Sequence, residues 1–173
     1  IGDLSVKAFA ISHDANEPSG FRIENCDKSV AIATDLGVYD EYIINNLKDL
    51  NAVVLEANHD IHMVEVGPYP YYLKRRVLGN HGHLSNEASG RLLCEILHDK
   101  LEHIVLGHLS KENNMPATTY NGSSASNQYN EQLIAQQFTN LMQPVIQQGE
   151  TRTAESTMLK TGLTVRDVQV IDY

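Results

Sequence analysis

The sequence has no uninterrupted apolar stretch of the roughly 18 residues that a membrane-spanning helix needs. It also has no basic start followed by an apolar segment, as a signal peptide would have. Only two cysteines occur among its 173 residues, Cys26 and Cys94, and their contexts are unrelated. They lack the spacing of a metal site. These absences predict a protein with no membrane partner, in a reducing, cytoplasmic compartment.

Basic residues are scarce as well. There are 13 Lys and Arg against 22 Asp and Glu, which gives a formal net charge of −9. This balance argues against a broad electrostatic surface for nucleic acid. The dense basic cluster that does occur is Lys74, Arg75 and Arg76. Beside a metal centre, such a local patch could still hold a phosphate.

What the chain does have is the composition of an ordinary globular domain, 42% hydrophobic and 20% charged. We expect one domain over residues 1–173. The first residues are Ile1, Gly2 and Asp3 rather than Met, directly before a predicted strand. We therefore expect the chain to begin inside a domain.

The pattern of apolar residues predicts an α/β layered fold. Alternation predicts strands in the first third, at residues 6–11, 20–24 and 29–33. Helical and buried-strand patterns then alternate along the middle of the chain. The predicted elements there are a helix at 40–50 capped by Asp40, a strand at 52–55, a helix at 85–99 capped by Ser85 or Asn86, and a strand at 102–106.

Beyond this region the composition changes. Residues 117–132 are rich in Asn, Ser, Gly and Gln, which predicts a loop or loosely ordered segment. A helix is expected at 131–142 and a final strand at 163–171.

Three residues with metal-binding side chains each follow a predicted strand. His13 follows KAFAIS, Asp35 follows SVAIAT, and His108 follows HIVLG. In α/β proteins, ligand and metal sites gather in the loops at the carboxyl ends of strands. Two imidazoles and a carboxylate suit zinc, manganese or iron. Taken singly, each remains a weak candidate, because loop histidines are often plain surface residues and such aspartates often cap turns.

A second group of polar residues follows the same logic. Glu56 and His59 come after an apolar strand, and His81 and His83 come just before a helix. A histidine near a metal site could protonate a leaving group, and Glu56 could orient it through a hydrogen bond. Hydrogen bonding within loops, without a metal, is an equally open reading of the His81 and His83 pair.

Three tyrosines, Tyr69, Tyr71 and Tyr72, flank the basic cluster and could stack on a base or sugar. The alternative is that these tyrosines are half-buried core residues and that the charges form a solvated face.

Six motifs occur in one order: SHDAxEPxG, ATDLG, LEANHD, GPYPxxLKRR, GHLSN and LGHLSKENN. Together they closely resemble the branch of the metallo-β-lactamase superfamily that contains YycJ and WalJ (VicX). The likeness covers about residues 2–116. It implies a four-layer αβ/βα sandwich with a two-metal site along one edge, of which this chain would form the second part.

Roles follow from the resemblance motif by motif. His13 and His108 resemble metal ligands, and Asp35 resembles a carboxylate that bridges two ions, which would be zinc or manganese. Glu56 and His83 resemble a catalytic pair that acts on the leaving group.

The resemblance also implies a DNA exonuclease linked to mismatch repair and to the cell-wall two-component operon of Gram-positive bacteria. In such an enzyme, metal-activated hydroxide attacks phosphorus and His83 protonates the leaving oxygen. We assign substrate binding to His59, His81 and the basic cluster.

One departure limits this reading. The superfamily motif HxHxDH, which supplies most of the metal ligands, is absent from the sequence. We therefore expect the N-terminal half of the same fold to be a required partner, present as another part of a longer enzyme. The region from Ala117 onward also fits the family poorly, and no role is assigned to it.

Three functions stay open at this point. The first is a metal-dependent phosphodiesterase acting on DNA or another phosphodiester, complete only with the missing half. The second is a hydrolase of the same fold acting on a small ester, lactone or thioester, because a fold does not fix its substrate. The third is a truncated, non-catalytic binding domain.

Overall fold

The computed structural model describes residues 2–98 and 100–114, and the backbone of 168–170. These residues form one mixed sheet of six strands in the order β1-β2-β3-β4-β5-β6. The strands are β1 Ser5–Ala10, β2 Ser19–Glu24, β3 Ser29–Ala33, β4 Ala52–Glu56, β5 His103–Gly107 and β6 Val168–Val170. The predicted α/β class is confirmed.

The first three strands are antiparallel, and the strands from β3 to β6 are parallel. Parallel neighbours need a crossover connection, and helices supply it between β3 and β4 and between β4 and β5. These helices are α1 Glu41–Leu47, α2 Ile61–Val66, α3 Tyr71–Val77 and α4 Asn86–Ile96.

The predicted N-caps of helices α1 and α4 are both present. The Asp40 side chain accepts a hydrogen bond from the Ile43 amide, and the Ser85 side chain accepts one from the Ala88 amide. Each bond satisfies one of the unpaired amides of a helix start. Helix α1 is shorter than predicted and ends at Leu47. Leu50 is nevertheless buried beyond its end.

The sequence pattern does not predict helix α3, and after the strand at 52–55 it allows either a polar loop or a short helix, where the structure has α2. Each has seven residues or fewer, too few for a clear helical period. Asp60 caps α2 by accepting from the Met63 amide. Pro70 lies directly before α3, at its N-cap position. Its backbone angle φ is −57°, which suits the start of a helix.

One face of the sheet carries the core. Ala31, Val53, Leu55 and Ile104 point from the central strands toward α1 and α4, and all four are fully buried. Side chains alternate between the two faces of a strand. Helices therefore cover this face.

The opposite face is apolar and open. Phe21 pairs with Ile32 across β2 and β3, and Val6 pairs with Ile23 across β1 and β2. Val6, Phe21 and Ile32 are 51%, 43% and 37% exposed. In the part of the chain that the structure describes, the sheet is thus covered on one side.

The expected loop at 117–132 and helix at 131–142 lie outside the described residues. Of the strand expected at 163–171, the structure describes Val168–Val170. Among the described residues, no helix is long and apolar enough to cross a membrane.

Candidate metal centre

Asp35 lies among three histidines. Its Oδ1 atom is 3.6 Å from Nε2 of His13, 3.6 Å from Nδ1 of His108 and 3.9 Å from Nδ1 of His83. The topology explains this convergence. The strands β1, β3 and β5 all run in one direction, so the residues that follow them meet at one edge of the sheet.

Asp35 and His108 both adopt left-handed backbone conformations, with φ of 59° and 56°. Asp and His tolerate this region better than most residues, but it is still sparsely populated. Each residue turns the chain sharply at the end of its strand, so that its side chain faces the shared edge. Such local strain is common where a site fixes side-chain direction.

Glu56, at the end of β4, is fully buried and accepts four hydrogen bonds. Its Oε1 lies 2.7 Å from Nδ1 of His83 and 2.7 Å from Nδ1 of His108. Its Oε2 accepts from the amides of Leu36, at 2.7 Å, and Leu84, at 3.2 Å. The two carboxylate oxygens have about four lone-pair sites, so these donors fill them. Glu56 thus fits a carboxylate that orients imidazoles better than a direct metal ligand.

The electrostatics agree with an ionised Glu56. Burial acts to raise its pKa, but the hydrogen bonds from His108 and His83 outweigh burial and leave the pKa below its usual value. The hydrogen bond to Glu56 in turn raises the pKa of His108, against the effect of burial. The protonation states of Glu56 and His108 are therefore coupled, because the hydrogen bond between them favours the charged carboxylate.

His13 is held from its other side. Its Nδ1 lies 3.0 Å from the carbonyl oxygen of Gly82, which can only accept, so Nδ1 carries the proton. The lone pair of Nε2 therefore lies on the side of the ring that faces Asp35, where it could bind a metal ion. Nε2 also lies 3.4 Å from Oδ1 of Asp14.

The turn that carries Gly82 is packed too closely for any side chain. A Cβ atom at Gly82 would collide with the carbonyl oxygens of Arg76 and Val77. A Cβ atom at Gly37 would collide with the carbonyl of Asn80. Glycine at both positions therefore lets the loop after β3 and the loop after α3 meet.

The donor set fits a divalent metal. Asp35, Glu56, His83 and His108 each place one donor atom within 4.8 Å of the others. Metal bonds of about 2.0–2.1 Å at tetrahedral angles place neighbouring ligand atoms roughly 3.3 Å apart. The 3.6 Å separation between Oδ1 of Asp35 and Nε2 of His13 is close to that spacing. In His108, Nδ1 is hydrogen-bonded to Glu56, so Nε2 is the atom that remains for a metal. Imidazole nitrogen and carboxylate oxygen suit zinc and manganese.

The structure brings together five of the predicted site residues and separates others from them. His59 is 1% exposed and lies beside Asn58. The side chain is therefore buried among the described residues, and its assignment to substrate binding stays a prediction. His81 is exposed, and its Nδ1 lies 3.0 Å from the Ser12 hydroxyl.

The basic cluster has three different environments. Lys74 donates to the carbonyl of Glu65 at 2.7 Å. Arg75 is exposed, and the carbon of its guanidinium lies 6.0 Å from the centre of the Tyr71 ring. Arg76 donates two hydrogen bonds to the carboxylate of Asp14. This pairing occupies the Arg76 fork and holds the pKa of Asp14 below its usual value.

Asp14 is the residue that sequence reasoning missed. It follows the predicted ligand His13, contacts that imidazole and anchors α3 through Arg76. A carboxylate directly beside a candidate ligand in the first motif was the available signal.

The sequence of this chain is similar to the sequences of proteins named as exodeoxyribonucleases. The chain is 40% identical over 114 residues to "Exodeoxyribonuclease YycJ" of Bacillus anthracis and 38% identical over 114 residues to "Exodeoxyribonuclease WalJ" of Streptococcus pneumoniae. The alignments cover 66% of this chain, 43% of the first protein and 42% of the second. The predicted resemblance to the YycJ and WalJ branch is confirmed, and the chain spans less than half the length of these curated relatives. No family model matches the chain.

Solved structures show a partial likeness. The metallo-β-lactamase fold protein YhfI from Bacillus subtilis is 15% identical, with a TM-score of 0.46 over 75% of this chain and 43% of that chain. The short form of human tRNase Z is 21% identical, with a TM-score of 0.45 over 63% of this chain and 37% of that chain.

Proposed function

We propose that this chain is the site-bearing part of a metal-dependent phosphodiester hydrolase that acts on DNA as an exonuclease. The observation that carries the proposal is the position of Asp35, with one oxygen within 3.9 Å of three imidazole nitrogens. Similarity to exodeoxyribonucleases at 38–40% identity supports the choice of substrate.

In this proposal, His13, Asp35 and His108 would hold the metal, which would be two ions of zinc or manganese. When bound, the ions supply a nucleophile at neutral pH and offset the negative charge of the phosphate. His13 presents Nε2 because Gly82 fixes its tautomer. His108 is oriented by Glu56.

His83 serves as the general acid. Its ring centre lies 5.0 Å from that of His13 and 5.0 Å from that of His108, so it sits between the proposed ligands. Its Nδ1 proton is held by Glu56, which leaves Nε2 to donate a proton to the leaving oxygen. Glu56 positions the imidazole through this hydrogen bond.

Phosphodiester chemistry is favoured over ester, lactone or thioester hydrolysis by the charge of helix α3. Lys74 and Arg75 lie on this helix, whose end is anchored beside His13. A phosphate backbone can use these cations, whereas a small uncharged ester cannot.

We further propose that the N-terminal half of the same four-layer fold covers the open face of the sheet and completes the ligand set. A contiguous apolar surface left exposed on a protein often marks an interface with another part or partner. Here Val6, Phe21 and Ile32 form an exposed apolar surface. The small number of cysteines supports a cytoplasmic setting for the assembled enzyme.

The test is to isolate the protein from its source and measure intact mass, bound metal and activity together. We expect bound zinc or manganese and release of nucleotides from DNA ends that stops on chelation. Hydrolysis of 4-nitrophenyl acetate or a lactone without action on DNA would favour the second function. A protein with neither metal nor hydrolytic activity would be a binding domain, and the proposal would fail.

A further inference from the structure

Helix α3 exposes aromatic and basic side chains together. None of its seven residues, all of which the structure describes, is buried. Tyr71 is 77% exposed and Tyr72 is 74% exposed. Large aromatic surface left in water is costly unless a partner uses it. The helix therefore has the character of a binding surface rather than of core.

A groove runs along this helix. It encloses about 620 Å³ and is lined by Tyr69, Tyr71, Lys74, Arg75, Leu78 and the acidic Glu65. This volume lies within the range of about 300–1,000 Å³ that is usual for small-ligand sites, which is enough for a nucleotide unit. The Arg75 guanidinium lies over the Tyr71 ring, 6.0 Å from its centre. The groove thus combines a flat aromatic face with cations.

Charge selects the type of partner. The whole chain carries a formal charge of −9, so a polyanion is repelled by most of its surface. Lys74, Arg75 and Arg76 reverse that sign locally. Aromatic rings beside cations are how proteins hold unpaired bases and the backbone that joins them.

The helix also lies next to the candidate centre. Arg76, in the last turn of α3, donates two hydrogen bonds to Asp14, which adjoins His13. The amide of Asp14 donates in turn to the carbonyl of His81 at 3.1 Å. A strand that lies along α3 would therefore reach the centre within a few nucleotides.

We propose that Tyr69, Tyr71, Tyr72, Lys74 and Arg75 form a platform for the unpaired end of a DNA strand. The tyrosines stack on bases and the two cations hold phosphates. This inference rests on the proposed function for the identity of the strand. It adds that the terminal bases of the bound strand lie unpaired on the platform, with little dependence on sequence, because every base has a flat face.

The experiment measures fluorescence anisotropy of a labelled 12-nucleotide single strand with the chain in chelator, so that binding is read without hydrolysis. Replacing Tyr71 and Tyr72 together by Ala should weaken binding roughly tenfold or more, while replacing both by Phe should retain it. Tyr42→Ala is the matched control, because Tyr42 is a tyrosine of α1 that is 50% exposed.

Two comparisons define the partner. The affinity is measured at several salt concentrations. Lys74→Gln and Arg75→Gln should each reduce the slope of the logarithm of the binding constant against the logarithm of salt concentration by about one. Equal affinity of wild type and the double Ala variant for the single strand would overturn the platform. So would preferential binding to anionic lipid vesicles with the same dependence on Tyr71 and Tyr72.

A separate measurement keeps this inference distinct from the proposed function. Metal-dependent hydrolysis of bis(4-nitrophenyl) phosphate by the wild-type protein isolated from its source, with any N-terminal part that it carries, reports the centre without requiring the platform. Hydrolysis combined with unchanged binding in the double Ala variant would overturn the platform alone. Tyrosine-dependent binding without hydrolysis would support the platform and count against the proposed function.

Discussion

Nδ1 of His83 lies 2.7 Å from Oε1 of Glu56, a carboxylate with no exposed surface. A buried carboxylate is costly unless donors surround it, and here two imidazoles and two backbone amides do so. The same four bonds that make the burial tolerable also fix the direction of His83. Stability and alignment of the site therefore depend on one side chain.

Glu56→Gln tests this dependence. The amide of Gln offers one acceptor oxygen and two donor hydrogens, so at least one buried donor loses its partner. We expect unfolding free energy to fall by about 1–3 kcal/mol and metal affinity to fall about 10–100-fold. Urea unfolding and metal titration measure the two effects. The exposed Glu112→Gln is the control, and unchanged metal affinity in Glu56→Gln would count against an orienting role.

His83→Ala separates proton donation from metal binding. We expect metal affinity to be retained and turnover on DNA to fall by roughly 10²–10⁴-fold. A substrate that releases 4-nitrophenolate should be affected much less, because that leaving group needs no proton. Steady-state rates on both substrates give the comparison, with the exposed His103→Ala as control. Loss of metal from His83→Ala would make His83 a ligand instead of the acid.

His59 predicts a pH dependence of stability. Burial is the main reason why the pKa of His59 is lowered to about 4. Repulsion from His83 also lowers this pKa, whereas attraction to Glu56 and Asp60 raises it. Between pH 6.5 and 4, the unfolded chain therefore binds the proton and the folded chain does not. Stability is lost as pH falls through this window, by roughly 3 kcal/mol from this group.

The measurement is urea unfolding from pH 7 to pH 4 in wild type and His59→Gln. The variant should lose less stability over this range, since its side chain does not titrate. The exposed His62→Gln should follow the wild type. Parallel curves for wild type and His59→Gln would show that His59 titrates alike in both states.

The sequence could predict the strands and the two capped helices because their signals are local. Alternating apolar residues and the caps Asp40 and Ser85 act within a few positions. The ends of strands, and so the candidates His13, Asp35 and His108, followed from the same pattern. The direction of each strand, which brings these three residues to one edge, is a property of the sheet as a whole.

Other features of the site depend on contacts between residues that are far apart in the sequence, so local patterns do not predict them. Glu56 and His108 are 52 positions apart and meet because β4 and β5 are parallel neighbours. The burial of His59 depends on packing around its loop, and its polar character suggested the opposite. Helix α3 has seven residues, too few for a clear helical period, and the exposure of its Tyr71 and Tyr72 depends on how the helix packs.

The most direct test of the central claim is a calorimetric titration of the chain with Zn²⁺ and Mn²⁺, repeated with Asp35→Asn. Asp35 is the side chain that three imidazoles share, so its loss should weaken binding by about 100-fold or more (~2.7 kcal/mol). The exposed Asp27→Asn serves as the matched control and should bind as the wild type does. Metal binding that is equally tight in wild type and Asp35→Asn would contradict a centre built around Asp35.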